Sequence, residues 1–292
     1  MTSTSSTTTV SPRLAQLSHP SGRLPGGPGR SWLRSRGART LGGQLACIGV
    51  VLLIWQALVV SGVLSTDAVA SPTATAHALG TLIPTSGFWS VLGDTLRSWA
   101  IGLVISLVIG LPVGLSVEAS NLAYRMSRVT IDFLRTIPPV VLLPLALLFY
   151  GATEQMVLLL VVVGSVWPVI LQAMYGVHQV DPVSRDVAAA YRLRRREMVF
   201  AVIVPSAAPF IATGIRIAAT MSLLLVVGGE LLGGAPGIGN SIAVAQQIPD
   251  IPTMYAYVVV AAGLGVGLNV IVVRIEGRVL AWHSSHRTLD TA

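Results

Sequence analysis

Apolar residues in this chain are gathered into long runs, approximately 43–63, 91–117, 129–150, 155–176, 209–231 and 254–275. A helix needs about 20 residues to cross a hydrocarbon core of roughly 30 Å, so the pattern predicts about six transmembrane helices. The expected fold class is all-α, a polytopic membrane helix bundle with an additional cytoplasmic helix between the fourth and fifth spans. Pro138, Pro139, Pro144 and Pro168 fall inside the third and fourth runs. A bundle tolerates such prolines because neighbouring helices satisfy the freed carbonyls, and kinks are expected there. Between the first two spans, Ser65-Thr66, Pro72 and Pro84-Thr85-Ser86-Gly87 mark a loop holding a short helix near Ala74 to Leu82. Gly110 and Gly114 in the second span have a small-xxx-small spacing that permits close helix contact, and Gly263, Gly265 and Gly267 give the sixth span a similar stripe.

Composition agrees with a membrane protein: 53% of the residues are hydrophobic and 11% charged, with mean hydropathy +0.74, where a soluble domain carries about 25% charged residues. The net charge of +7 raises the question of a nucleic-acid partner. The arrangement of that charge excludes one, because nucleic acid needs the basic residues on one soluble surface. The chain has no lysine, and its arginines cluster before the first span, between the second and third, between the fourth and fifth, and after the sixth. The loops Leu64–Ser90, Gly151–Glu154 and Leu232–Thr253 contain no lysine or arginine. By the positive-inside rule both termini and the loop around Asp186 are cytoplasmic, in a multi-pass membrane protein. Residues 1–42 are too poor in apolar side chains to form a core and are expected as a disordered Arg-rich tail. Residues 43–282 form the membrane domain, and 283–292 a second cytoplasmic tail. The first run has span length, so it reads as an uncleaved anchor helix. The single cysteine, Cys47, excludes an internal disulfide and a cysteine-based metal cluster.

The loop 177–208 carries the most specific local pattern. Asp181 is placed to cap a helix and Pro182 to occupy its first position. From Val183 to about Phe200 the residues favour helix, and Pro205 ends that helix or kinks the chain beyond it. Arg192, Arg194, Arg195 and Arg196 are too many charges for a membrane span, so this helix lies in water or at the interface. Charge alone leaves two readings open, a loop that only fixes topology or a helix that docks on a partner.

The order Asp186, Ala188, Ala189, Ala190, Tyr191, Arg192, Leu193, then Val202-Ile203-Val204-Pro205, resembles the coupling loop of bacterial ABC-transporter permeases. The segments Leu134-Arg135-Thr136-Ile137-Pro138-Pro139 and Leu143-Pro144 to Tyr150-Gly151, with Trp55, Ser71-Pro72, Gly229-Glu230, Gly237-Ile238-Gly239 and Gln246-Gln247, resemble permeases of the nitrate, aliphatic sulfonate and taurine branch. The resemblance runs from about Leu52 to Trp282. It implies a permease subunit of an ABC importer, paired with a second permease subunit as a homodimer or heterodimer. Cytoplasmic ABC ATPase subunits would drive it and an extracytoplasmic solute-binding protein would serve it. The solute implied is a small anion such as a sulfonate, taurine or nitrate. An osmoprotectant or a thiamine-precursor-like heterocycle is the alternative solute. The ATPase-coupling residues would be Asp186, Ala188, Ala189, Tyr191, Arg192, Leu193 and Pro205. Asp186 stands where the family usually has Glu, and Arg192 where it has a glycine.

Ionisable residues in or near spans are candidates for the translocation path. Arg97 belongs to the outer part of the second span and either faces an anion path or is neutralised by Asp94 at i, i+3. Glu230 either belongs to the periplasmic gate region, as the resemblance implies, or is a helix-end carboxylate in water. Arg135, Arg216 and Arg274 are expected to snorkel to the interface or to pair within the bundle. The histidines at 19, 77, 178, 283 and 286 are scattered, and none has the i, i+4 partner of a zinc helix. No metal site, cofactor or catalytic constellation is expected, which argues against a membrane-embedded enzyme. Without lysine there is no phosphate-cradling Gly-Lys-Ser/Thr loop, so ATP hydrolysis must come from a partner.

Overall fold

The computed structural model describes residues 31–65, 67–118 and 121–280. The described residues form helices and connecting turns with no strand among them. In order they are α1 (Ser31–Val60), α2 (Pro72–Leu82), α3 (Ser86–Glu118), α4 (Asn121–Leu134), α5 (Leu143–Tyr150), α6 (Glu154–His178), α7 (Pro182–Ala190), α8 (Arg195–Met198), α9 (Val204–Gly233), α10 (Ile238–Gln247) and α11 (Ile251–Val279). The chain divides into two units, 1–52 and 53–292, and the helices that pack together belong to the second. Of the two expected tails, 1–30 and 283–292 lie outside the described residues, and Ser31 onward is already helical.

The expected six spans are only approximated. Four stretches of helix, those containing α3, α6, α9 and α11, are long and apolar enough to cross a membrane. In α1 the shorter stretch Ala46–Val60 is apolar. The third expected run is broken, with Tyr124–Leu134 and Pro139–Tyr150 meeting at 74°. The reason is local. Pro138 and Pro139 have no N–H to donate, and a residue before proline is pushed out of helical geometry. Leu134 is therefore the last residue of α4, and Pro139 opens a single 3₁₀ turn to Leu142. Pro168 by contrast sits inside an uninterrupted α6.

Helix α6 is the centre of the packing, with Met156, Val157, Leu160, Val161, Val169, Ala173 and Val177 fully or nearly fully buried between α3 and α9. The glycines of α3 make the approach close enough. A Cβ at Gly110 would lie 2.8 Å from the Val169 Cβ, and one at Gly114 2.6 Å from the Ile170 carbonyl oxygen. The similar stripe on α11 behaves differently, since a Cβ at Gly263 or Gly267 would meet nothing within 4 Å. Two hydrogen bonds cross this packing: Ser222 Oγ donates to Ser165 Oγ at 2.9 Å and Trp99 Nε1 to the Ala219 carbonyl at 2.9 Å. Arg216 of α9 pairs with Glu276 of α11, and Arg135 with Asp132 at 3.1 Å, which is the pairing expected of the arginines near span ends. Helix α2 starts as the Ser-Pro signal requires, with Ser71 Oγ accepting the Ala74 N–H at 3.2 Å and Pro72 at the first position. Trp55 of α1 packs on Tyr255 of α11 with ring centroids 5.9 Å apart.

Candidate functional site

The break between α4 and α5 opens a cavity of about 960 Å³. The broken segment supplies Arg135, Thr136, Pro138 and Pro139, α6 supplies Trp167 and Gln172, and α9 supplies Thr220 and Met221. Its walls are mainly apolar, with the cation of Arg135 at one end. A smaller cavity of about 290 Å³ shares Arg135 and holds the Glu118–His178 pair, whose Oε1 and Nδ1 lie 3.1 Å apart. Such walls can border a small solute, and their one cation, Arg135, is held by Asp132 at 3.1 Å. They contain no arrangement of nucleophile, base and orienting group for a covalent step. Sequence reasoning proposed Arg97 and Glu230 for a path, and neither lines this cavity. The signal for it was the Arg-Thr-Ile-Pro-Pro segment, which interrupts an apolar run with a cation and two missing N–H donors.

The segment after α6 is built in two pieces rather than as the single helix expected from Val183 to Phe200. Asp181 Oδ1 accepts the Val183 N–H at 3.1 Å, and Pro182 opens α7 as expected. The helix then stops, with the Tyr191 N–H bonded to the Val187 carbonyl and the Leu193 N–H to the Ala188 carbonyl, both at about 3.0–3.1 Å. The second bond spans six residues, the closure that requires a left-handed residue between, and Arg192 has φ +52°. That is why a glycine is favoured at this turn and why propensity alone missed the break. The chain restarts with the Arg194 N–H donating to Glu197 Oε2 at 2.8 Å, one half of a capping box. Next comes a widened π turn at Val199–Ile203, immediately before Pro205, which lacks a donor for the carbonyl four residues back. Pro205 itself is exposed at the start of α9.

Of the residues named for coupling, Asp186, Tyr191, Arg192 and Leu193 are exposed and Ala188 is buried, while Ala189 lies on α7. The structure adds three that sequence reasoning missed, Val183, Val187 and Arg185. Val183, Val187 and Tyr191 are 65%, 50% and 79% exposed, and their i, i+4, i+8 spacing places them on one face. The guanidinium of Arg185 donates to the carbonyl of Val177 near the end of α6, tying α7 to the most buried helix.

At the ends of the spans where the loops lack arginine, Arg97 pairs with Glu154 at 3.3 Å, in place of the expected Asp94. Glu154 begins α6, where a carboxylate is also favoured by the helix dipole. Asp94 and Arg97 both line a cavity of about 240 Å³ with Ser98, Thr153, Glu154 and Pro236. Glu230 is 0% exposed, so the helix-end carboxylate in water does not describe it. Its Oε2 accepts the Thr95 hydroxyl at 3.0 Å and the Gly239 N–H at 2.9 Å.

Residues 102–281 match the family profile described as binding-protein-dependent transport system inner membrane component. The chain is 30% identical over 241 residues to the aliphatic sulfonates transport permease protein SsuC of Escherichia coli (strain K12), a match covering 82% of this chain and 90% of the relative. It is 25% identical over 237 residues to the protein of the same description from Bacillus subtilis (strain 168), covering 81% and 86%. It is 27% identical over 193 residues to the nitrate import permease protein NrtB of Leptolyngbya laminosa, covering 66% and 69%. Among solved structures, an inward-facing conformation of the MetNI methionine ABC transporter superposes with TM-score 0.59 at 19% identity, covering 66% of this chain and 96% of that one. That likeness concerns the fold.

Proposed function

Because the chain belongs to the family of binding-protein-dependent transport system inner membrane components, we propose that it forms, with a second permease subunit, the translocation path of an ABC importer for a small anion. The observation that carries this reading is the exposed apolar stripe formed by Val183 and Val187 of α7 and Tyr191 just beyond it, in a segment whose arginines keep it out of the bilayer. A helix that is wet on its charged side and apolar on another face is shaped to lie in a partner's groove. Cytoplasmic ABC ATPase subunits are that partner. Asp186, Ala188, Ala189, Tyr191, Arg192, Leu193 and Pro205 mark the coupling region, and the Arg185–Val177 bond leads from it to α6. Movement of rigid elements is how such a displacement reaches a gate.

The arginine-rich loops then face the cytoplasm together with both termini, and α2 and α10 face outward, where a solute-binding protein delivers its cargo. The cavity at the α4–α5 break lies on the path, with Arg135 as its cation. An aliphatic sulfonate or nitrate, the solutes named for the relatives above, supplies the complementary charge. Replacing Val187 by Glu puts a charge in the proposed contact without touching the core. Co-purification of the ATPase and ATP-driven uptake should both be lost at unchanged membrane abundance. Retention of both would overturn the docking role of α7.

A further inference from the structure

The connection between α9 and α10 is Gly233-Gly234-Ala235-Pro236-Gly237, in which Gly234 has φ +71° and Gly237 φ +149°. A segment with this composition would by itself be a hinge. Its ends are nevertheless tied by one residue. The Glu230 carbonyl accepts the Gly234 N–H at 3.0 Å, closing α9, while the Glu230 side chain reaches past the loop to the start of α10. There Glu230 Oε2 takes the Gly239 N–H, and Thr95 of α3 accepts the Ile238 N–H at 2.9 Å while donating its own proton to the same Oε2. The first two N–H groups of α10, which no residue inside that helix can satisfy, are therefore capped from two other helices, and the carboxylate sits at the favourable end of the α10 dipole. Glycines make the approach possible. A Cβ on Gly237 would strike the Glu230 carboxylate, and one on Gly239 would strike the Val227 carbonyl oxygen. Oε1 of Glu230 has no hydrogen-bond partner among the described residues. A buried carboxylate with one free oxygen is an expensive side chain if all it does is fill space.

From this geometry we infer that Glu230 and Thr95 are positioning residues that lock α10 to α3 and α9, so that the glycine-rich connection cannot flex and α10 moves only with the helices that carry it. The transport consequence rests on the proposed function, in which α10 borders the outer mouth of the path. The lock itself does not. Spin labels at the exposed residues Ser90 of α3 and Gln247 of α10, in the full chain with Cys47→Ser, reconstituted with its ATPase, report the α3–α10 distance. Uptake of labelled ethanesulfonate, with ATP and the solute-binding protein supplied, is measured on the same vesicles. Thr95→Val removes only the hydroxyl, and Thr95→Ser keeps it. With two buried N–H groups losing their partners, Thr95→Val and Glu230→Ala should widen the distance distribution about twofold and lower uptake about tenfold, while Thr95→Ser matches the parent. Should Glu230→Ala fail to accumulate, the two Thr95 variants decide alone. A Thr95→Val distribution as narrow as the parent's overturns the lock whatever happens to uptake. A widened distribution with parental uptake upholds the lock and overturns the placement of α10 beside the path.

Discussion

Single residues decide where this chain bends. Arg192 is in the left-handed region at the turn that ends α7, a conformation that an ordinary side chain adopts at a penalty of about 1–2 kcal/mol and glycine at almost none. Part of that gain is offset by glycine's greater freedom in the unfolded chain. Arg192→Gly should therefore raise stability by up to ~1 kcal/mol, read as an increase in thermal midpoint of the detergent-solubilised protein. A lower midpoint would mean that the exposed guanidinium contributes more than the backbone loses. The sequence identified Arg192 as a departure from a familiar turn, yet the break in the helix was hidden, because alanine and arginine propensities run through it without interruption. Glu230 was hidden for a different reason. Its partners Thr95 and Gly239 come from α3 and from beyond a glycine loop, and a hydrogen bond between residues 135 positions apart leaves no trace in local pattern.

At the scale of elements, identical glycine spacings had opposite outcomes. Gly110 and Gly114 of α3 lie against α6 with no room for a side chain, whereas Gly263 of α11 faces open space. Gly110→Val should lower stability by roughly 1–3 kcal/mol through overpacking, seen as loss of folded protein in a thermal scan. Gly263→Ala should be neutral or stabilising by up to ~1 kcal/mol, since it only raises helix propensity. Equal effects at the two sites would contradict the packing described. The apolar runs foretold α3, α6, α9 and α11 because a span's length is a property of the sequence itself. They did not foretell which face of each helix is covered. They foretold 129–150 as a kinked span but not the size of its bend, a turn of 74° between Leu134 and Pro139. The cavity that results belongs to tertiary structure, and the motif that makes it was visible while its purpose was not.

For the molecule as a whole, the alternation of arginine-rich and arginine-free loops predicts an orientation that labelling can check. With Cys47 replaced, single cysteines at His77 and Ile248, both exposed, should react with an impermeant reagent from outside the cell. Cysteines at Tyr191 and Arg196 should react only after the membrane is opened. Reaction of Tyr191 from outside would invert the molecule and remove the ATPase contact with it. The same whole-chain view gives a new meaning to the Arg216–Glu276 pair, whose members are 60 positions apart. A ribosome delivers Arg216 to the bilayer before it makes Glu276. During that interval α9 carries an unneutralised guanidinium that opposes its insertion by about 3 kcal/mol at most. Helix α11 therefore supplies the counter-charge that an earlier helix needs. A chain cut short before Glu276 would keep α9 whole and still leave Arg216 without its partner.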